Sequence, residues 1–174
     1  FPDKPVIVSN KETLTYRQLH CQSTHLAEKI CRMGVDHQDR VVIFMNDSAK
    51  IITAMYAVLK AGCVFVILEG SMKSQKLNFI LNNSGASMLI TDTSKANVVK
   101  EALKEDCVNC KVLWTGSYET ISADIKNESY TWKKIFSDYN ENMIYTCCNK
   151  LPPTIDVELA CLIYTSGSTG EPKG

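Results

Sequence analysis

The stretch RVVIFMNDSAKIITAMYAVLKAGCVFVIL, residues 40–68, decides how the chain folds. After its arginine, the run at 40–45 is apolar throughout and rich in β-branched side chains, with the length of a strand buried on both faces. Asn46-Asp47-Ser48 offers side chains that cap helix N-termini. Ile51, Ile52, Met55, Val58 and Leu59 then recur at the spacing of one helix face. Gly62 stands where a helix of that length stops, and residues 63–68 (CVFVIL) form a second apolar strand. Strand, helix and strand in this order describe a parallel pair joined by a helical crossover.

The same alternation continues on both sides. Thr15 and Gln18 make a capping box ahead of a helix carrying Leu19, Leu26, Ala27, Ile30 and Met33, with Gly34 as its terminal glycine. Ser71 is expected to open a third helix with Leu77, Ile80 and Leu81, closed near Gly85. Residues 87–91 read as a third strand, 95–104 as a short helix and 112–114 as a fourth strand. Residues 115–153 are polar and irregular, with a weak helix over 132–139, and read as a long surface excursion. Residues 155–165 return to a strand. Apolar strands alternating with amphipathic helices predict an α/β fold, a doubly wound, mostly parallel sheet with helices on both faces. Ligands of such sheets bind beyond the carboxyl ends of the strands, where the segment after the last strand is expected.

Composition narrows the class of partner. Nineteen basic residues balance nineteen acidic ones over 174 residues, which provides no electrostatic footprint for nucleic acid or an anionic membrane. No apolar run reaches the ~18–20 residues needed to span a bilayer. The start at Phe1-Pro2-Asp3 lacks an initiator Met and does not resemble a signal peptide. Both ends therefore read as cuts within a longer, cytoplasmic protein. In that compartment the eight cysteines are expected as reduced thiols. Cys107 and Cys110 form a C-x-x-C, but adjacent Cys147-Cys148 makes a poor second pair for zinc, so no metal site is assigned. His20, His25 and His37 have no carboxylate or thiol at a suggestive spacing and receive no catalytic role.

The last residues, YTSGSTGEPKG (164–174), carry the chemistry. Gly167 and Gly170 let backbone N–H groups approach a ligand closely. Thr165, Ser166, Ser168 and Thr169 add hydroxyls, and Lys173 adds a compact positive charge. This is the composition of an anion cradle, and equally of a Ser/Gly linker. It is not a Walker A loop, because Pro172 precedes Lys173 and Gly174 follows it.

The exact order of these residues resembles the YTSG-[ST]-TG-x-PKG signature of adenylate-forming enzymes, a superfamily of acyl-CoA synthetases, peptide-synthetase adenylation domains and luciferases. Leu14-Thr15-Tyr16-Arg17-Gln18-Leu19 is similar to an early block of that family, and Leu59-Lys60-Ala61-Gly62-Cys63-Val64-Phe65-Val66 to its L-K-A-G block. One departure follows: the family's V-P-[IL]-[DN] is here Val66-Ile67-Leu68-Glu69-Gly70, which implies a different local backbone.

The resemblance implies the N-terminal portion of an adenylate-forming enzyme's large domain, truncated and without the small C-terminal domain. It implies ATP with Mg2+ as cofactors, a carboxylic acid substrate, and CoA or a carrier protein's phosphopantetheine as thiol acceptor. Thr165, Ser166, Gly167, Ser168, Thr169, Gly170 and Lys173 would then hold the β- and γ-phosphates, while Tyr164 packs at a strand end. The chain by itself is expected to lack synthetase activity and to expose an apolar sheet edge. The competing expectation is a non-enzymatic paralogue that binds nucleotide or a protein partner.

Overall fold

The computed structural model describes residues 1–9, 12–104, 109–116, 125–140, 151–166 and 172–174. A short antiparallel pair comes first, β1 (Pro5–Val8) with β2 (Thr13–Thr15), its register set by Ile7 opposite Leu14. Thr15 leads directly into α1 (Tyr16–Arg32). Its hydroxyl accepts from the Gln18 N–H at 3.2 Å, and the Gln18 side chain accepts from the Thr15 N–H at 3.0 Å, so the predicted capping box is formed.

Five strands make the sheet: β3 (Arg40–Phe44), β4 (Val64–Ile67), β5 (Ala86–Thr91), β6 (Lys111–Trp114) and β7 (Ser129–Thr131). Their order is β4-β3-β5-β6-β7 and every neighbouring pair is parallel. The helices α2 (Ser48–Lys60), α3 (Ser74–Ser84) and α4 (Ala96–Lys104) are the crossovers. Alternate strand residues serve opposite faces. Val41, Ile43, Met88, Ile90 and Leu113 pack with Leu26 and Ile30 of α1 and Ala54 and Val58 of α2. Val42, Phe44, Leu89, Val112 and Trp114 pack with Leu77, Ile80 and Leu81 of α3 and Val99 of α4. Both faces of the sheet are buried under helices, which accounts for strands that read as unbroken apolar runs.

Three details depart from the sequence reading. First, α3 starts at Ser74, because the Ser71 hydroxyl is bonded to the Glu69 carboxylate at 2.7 Å and caps nothing. Second, the expected surface excursion returns to the sheet as β7, which pairs Tyr130 with Leu113. It continues into α5 (Trp132–Ile135), whose Ile135 carbonyl lies 2.7 Å from His25 Nε2 of α1. The Phe136 ring lies 5.2 Å from the His25 ring, and Lys29 donates to Asp138 at 2.7 Å, so this segment is sewn to α1. Third, the strand expected over 155–165 is reduced to one parallel bridge, Phe65 with Cys161, on the outer edge of β4. An edge contact of this kind leaves alternate side chains in solvent: Ile155, Val157, Leu159 and Ile163 are all exposed.

Candidate functional site

Tyr164 leads into a two-stranded hairpin, β8 (Thr165–Ser166) against β9 (Pro172–Lys173). The pairing is antiparallel, Thr165 with Lys173 and Ser166 with Pro172, so eight residues of sequence separation become cross-strand contact. The Thr165 hydroxyl donates to the Lys173 carbonyl at 3.4 Å. Both residues are exposed. Gly167, Ser168, Thr169 and Gly170, the remaining predicted ligands, lie outside the described residues.

The hairpin is rooted on an aromatic ring. A Cβ on Gly174 would stand 2.8 Å from Cζ of Tyr164, so the returning chain lies close on that ring. The Tyr164 hydroxyl in turn donates to Oδ1 of Asn83 at 2.6 Å. Partial burial pushes the phenol above its ordinary pKa, against a lowering by the Ser84 hydroxyl and the Arg40 charge, so it stays a neutral donor. Asn83 sits in the last turn of α3, just before β5 begins at Ala86. The root is therefore tied to the amino end of the sheet rather than beyond the carboxyl ends.

The carboxyl-end crevice between β3 and β5 is occupied by the protein's own contacts. The Asn46 N–H donates to Asp92 at 2.8 Å and Lys95 donates to the Gly70 carbonyl at 2.6 Å. A Cβ on Gly70 would come within 2.1 Å of Asn46 Oδ1, so the chain after β4 lies directly against the turn after β3.

The histidines acquire partners that the sequence does not reveal. His37 Nε2 lies 2.9 Å from Glu158 Oε1, 121 residues away, and His25 lies 3.5 Å from Asp138. Burial pushes the Cys63 and Cys110 thiols up to about 12, so both are neutral at physiological pH and poor metal ligands. Among the described residues no three His, Cys, Asp or Glu side chains converge on a point that could hold a metal ion.

Comparison with known proteins gives this geometry its context. Residues 1–174 match the AMP-binding enzyme family. Zwittermicin A synthase ZmaJ of Bacillus cereus is 31% identical over 173 residues, which span 99% of this chain and 28% of that protein. Surfactin synthase subunit 1 of Bacillus subtilis is 28% identical, over 99% of this chain and 4% of its own length. Among solved structures, the anthranilate CoA ligase AuaEII in complex with anthranoyl-AMP superposes with a TM-score of 0.79 at 18% identity, over 98% of this chain and 31% of that one. A benzoate CoA ligase from Burkholderia xenovorans LB400 superposes with a TM-score of 0.76 at 18% identity, over 94% of this chain and 30% of that one. The structural likenesses establish a shared fold, and the chain spans less than a third of each of these proteins. The family match over the full 174 residues establishes more: the chain belongs to the AMP-binding enzyme family.

Proposed function

We propose that this chain supplies the phosphate-binding element of an ATP-dependent carboxylate-activating enzyme. The observation that carries the reading is the hairpin, which brings Thr165 and Lys173 together from the two ends of the sequence that contains Gly167, Ser168, Thr169 and Gly170. The donor set fits a polyphosphate: hydroxyls, a backbone free to turn its N–H groups inward, and one ammonium suited to phosphate as a point charge. ATP, when bound, supplies an electrophilic α-phosphorus and a pyrophosphate leaving group.

The protein's part is positioning and charge stabilisation. Lys173 holds positive charge where the leaving group gains negative charge, and Ser166, Ser168 and Thr169 donate hydrogen bonds to phosphate oxygens. Tyr164 and Gly174 keep the two hairpin strands together, so that hydroxyls and ammonium face one ligand. The substrate is a carboxylic acid, and the acyl group passes to CoA or to carrier-bound phosphopantetheine. The 174 residues form the N-terminal portion of the adenylation domain. Mg2+, adenosine and acyl binding, with the small C-terminal domain, come from the remainder of a longer polypeptide. The 28% coverage of zwittermicin A synthase ZmaJ supports this division.

The test is ATP affinity of the chain by calorimetry. A charge-assisted hydrogen bond is worth ~1.5–3 kcal/mol, so Lys173→Ala should weaken ATP binding by roughly 10–100-fold. AMP, lacking the outer phosphates, should bind both proteins alike. An ATP affinity unchanged by Lys173→Ala would sink the reading. Pyrophosphate release from ATP with a panel of carboxylates should not exceed that of the Lys173→Ala chain.

A further inference from the structure

The hairpin hangs from a strap, residues 151–163, that is almost outside the sheet. Two backbone bonds tie it to β4: the Phe65 N–H donates to the Ala160 carbonyl at 3.2 Å, and the Leu162 N–H donates to the Phe65 carbonyl at 3.0 Å. Burial holds only its two ends, Leu151 against one core and Leu162 against the other, while Ile155, Val157, Leu159 and Ile163 face solvent. A slip of two residues would preserve the alternation of faces and carry the hairpin ~7 Å along the edge. Between those packed ends, the stretch over 155–160 relies on polar contacts to hold the register.

The residues that do so sit on the turn before β3. Gln38 donates from Nε2 to the Leu159 carbonyl at 3.3 Å, and its Oε1 accepts from the Leu159 N–H at 3.2 Å. This two-way exchange is the one that facing strand residues make, performed by a side chain. Gln38 has φ 62, and it is the one non-glycine residue with positive φ among those described. That conformation is unfavourable for a residue with a Cβ. The cost is met by the Gln38 N–H donating to the Gly62 carbonyl at 2.7 Å and by the amide reaching Leu159.

His37 adds the register-specific contact, Nε2 to Glu158 Oε1 at 2.9 Å. The other Glu158 oxygen is buried with no partner, so this carboxylate is costly to place and depends on the imidazole. Slipping the strap by two residues would put Asp156 or Ala160 opposite His37, one side chain a methylene shorter and the other without a carboxylate. Gly62 completes the seat. A Cβ there would stand 2.4 Å from His37 Nδ1 and 3.1 Å from Pro152 Cγ, so the bare glycine admits both the ring and the start of the strap.

We propose that Gln38 and His37 form a clasp that fixes the strap's register on β4, making Gln38 a positioning residue for Thr165 and Lys173. The inference rests on the phosphate-binding reading of the hairpin, and the experiment separates the two. Gln38→Gly removes both amide bonds while leaving a backbone that glycine adopts freely, and Glu158→Ala removes the carboxylate. Amide hydrogen exchange and ATP affinity are measured on the 174-residue chain and on both single variants and their combination. The combined variant should exchange the Leu159 and Leu162 amides at least tenfold faster, leave Val42 and Leu89 in the sheet at wild-type rates, and bind ATP and inorganic triphosphate at least fivefold more weakly. Lys173→Ala should weaken ATP binding without changing exchange at Leu162. Faster exchange with unchanged ATP affinity overturns the positioning role, and unchanged exchange at Leu162 overturns the clasp. Loss of protection at Val42 and Leu89 as well would assign the effect to global stability and overturn it too. If Lys173→Ala leaves ATP affinity unaltered, the phosphate reading falls by itself, and Leu162 exchange alone then decides the clasp.

Discussion

Asp92 shows how one side chain can close the carboxyl end of two strands. It follows β5 and accepts from the backbone of Asn46, which follows β3, and from the Ser94 backbone at 2.8 Å each. The Ser94 hydroxyl donates to it as well. Burial alone would raise its pKa, but these hydrogen bonds and the Lys95 charge outweigh burial and leave the carboxyl below its ordinary value. A carboxyl whose folded pKa is depressed adds stability above its unfolded pKa and loses it as pH falls through the folded value. Wild type should therefore lose stability relative to Asp92→Asn as pH drops through the usual carboxylate range and below. Urea midpoints measured from pH 7 to pH 3 should converge. A gap that stays constant with pH would show that Asp92 acts through shape and not through charge. The glycines speak at the same scale: at Gly62, Gly70 and Gly174 a side chain of another segment closes to within 3 Å of where a Cβ would stand, and local sequence names none of those side chains.

Among the elements, the helix starts differ in how well they are made. α1 has both halves of its capping box, and α2 starts at Asp47, whose carboxylate accepts from the Lys50 N–H. The N-cap of α3 is Lys73, extended at φ −84 and ψ 159, with no side-chain bond to the exposed N–H groups and a positive charge at the positive end of the helix. Lys73→Asp supplies an acceptor and reverses that charge, and should stabilise the chain by about 1 kcal/mol. The denaturant midpoint should rise with an unchanged slope. No rise would mean that the first turn of α3 is already satisfied by solvent. The elements legible in the sequence are those whose signals lie within four residues: caps, periodic apolar faces and terminal glycines. β7 was not legible, because Ser129-Tyr130-Thr131 is an edge strand with partly exposed side chains and no apolar run to mark it. The strap failed in the opposite direction. Its alternation reads as a full strand, yet it finds only one β-bridge, to Phe65 of β4.

For the molecule as a whole, the consequence is an apolar ridge beside β4. Val157 is 81% exposed and Ile163 71%, and Ile155 and Leu159 are exposed as well. A backbone edge with a row of apolar side chains is a template for pairing with another chain. The 174-residue chain should self-associate with rising concentration in sedimentation velocity, and Val157→Lys with Ile163→Lys should shift it toward monomer. A wild-type chain that stays monomeric at all concentrations would contradict this. No described helix is long and apolar enough to cross a membrane.

What the sequence determined by itself is the run of helices and strands over residues 15–114, the parallel α/β class and the residue order that resembles a phosphate loop. Each rests on local hydrogen bonding, on burial periodicity or on residue order. Only the tertiary structure decided where that loop is anchored. The anchor is made by Tyr164 with Asn83, 81 residues apart, and by His37 and Gln38 with Glu158 and Leu159, each 121 residues apart. Contacts at that distance leave no periodic or capping trace in the chain. They exist only once the sheet has brought the turn before β3 alongside the edge of β4.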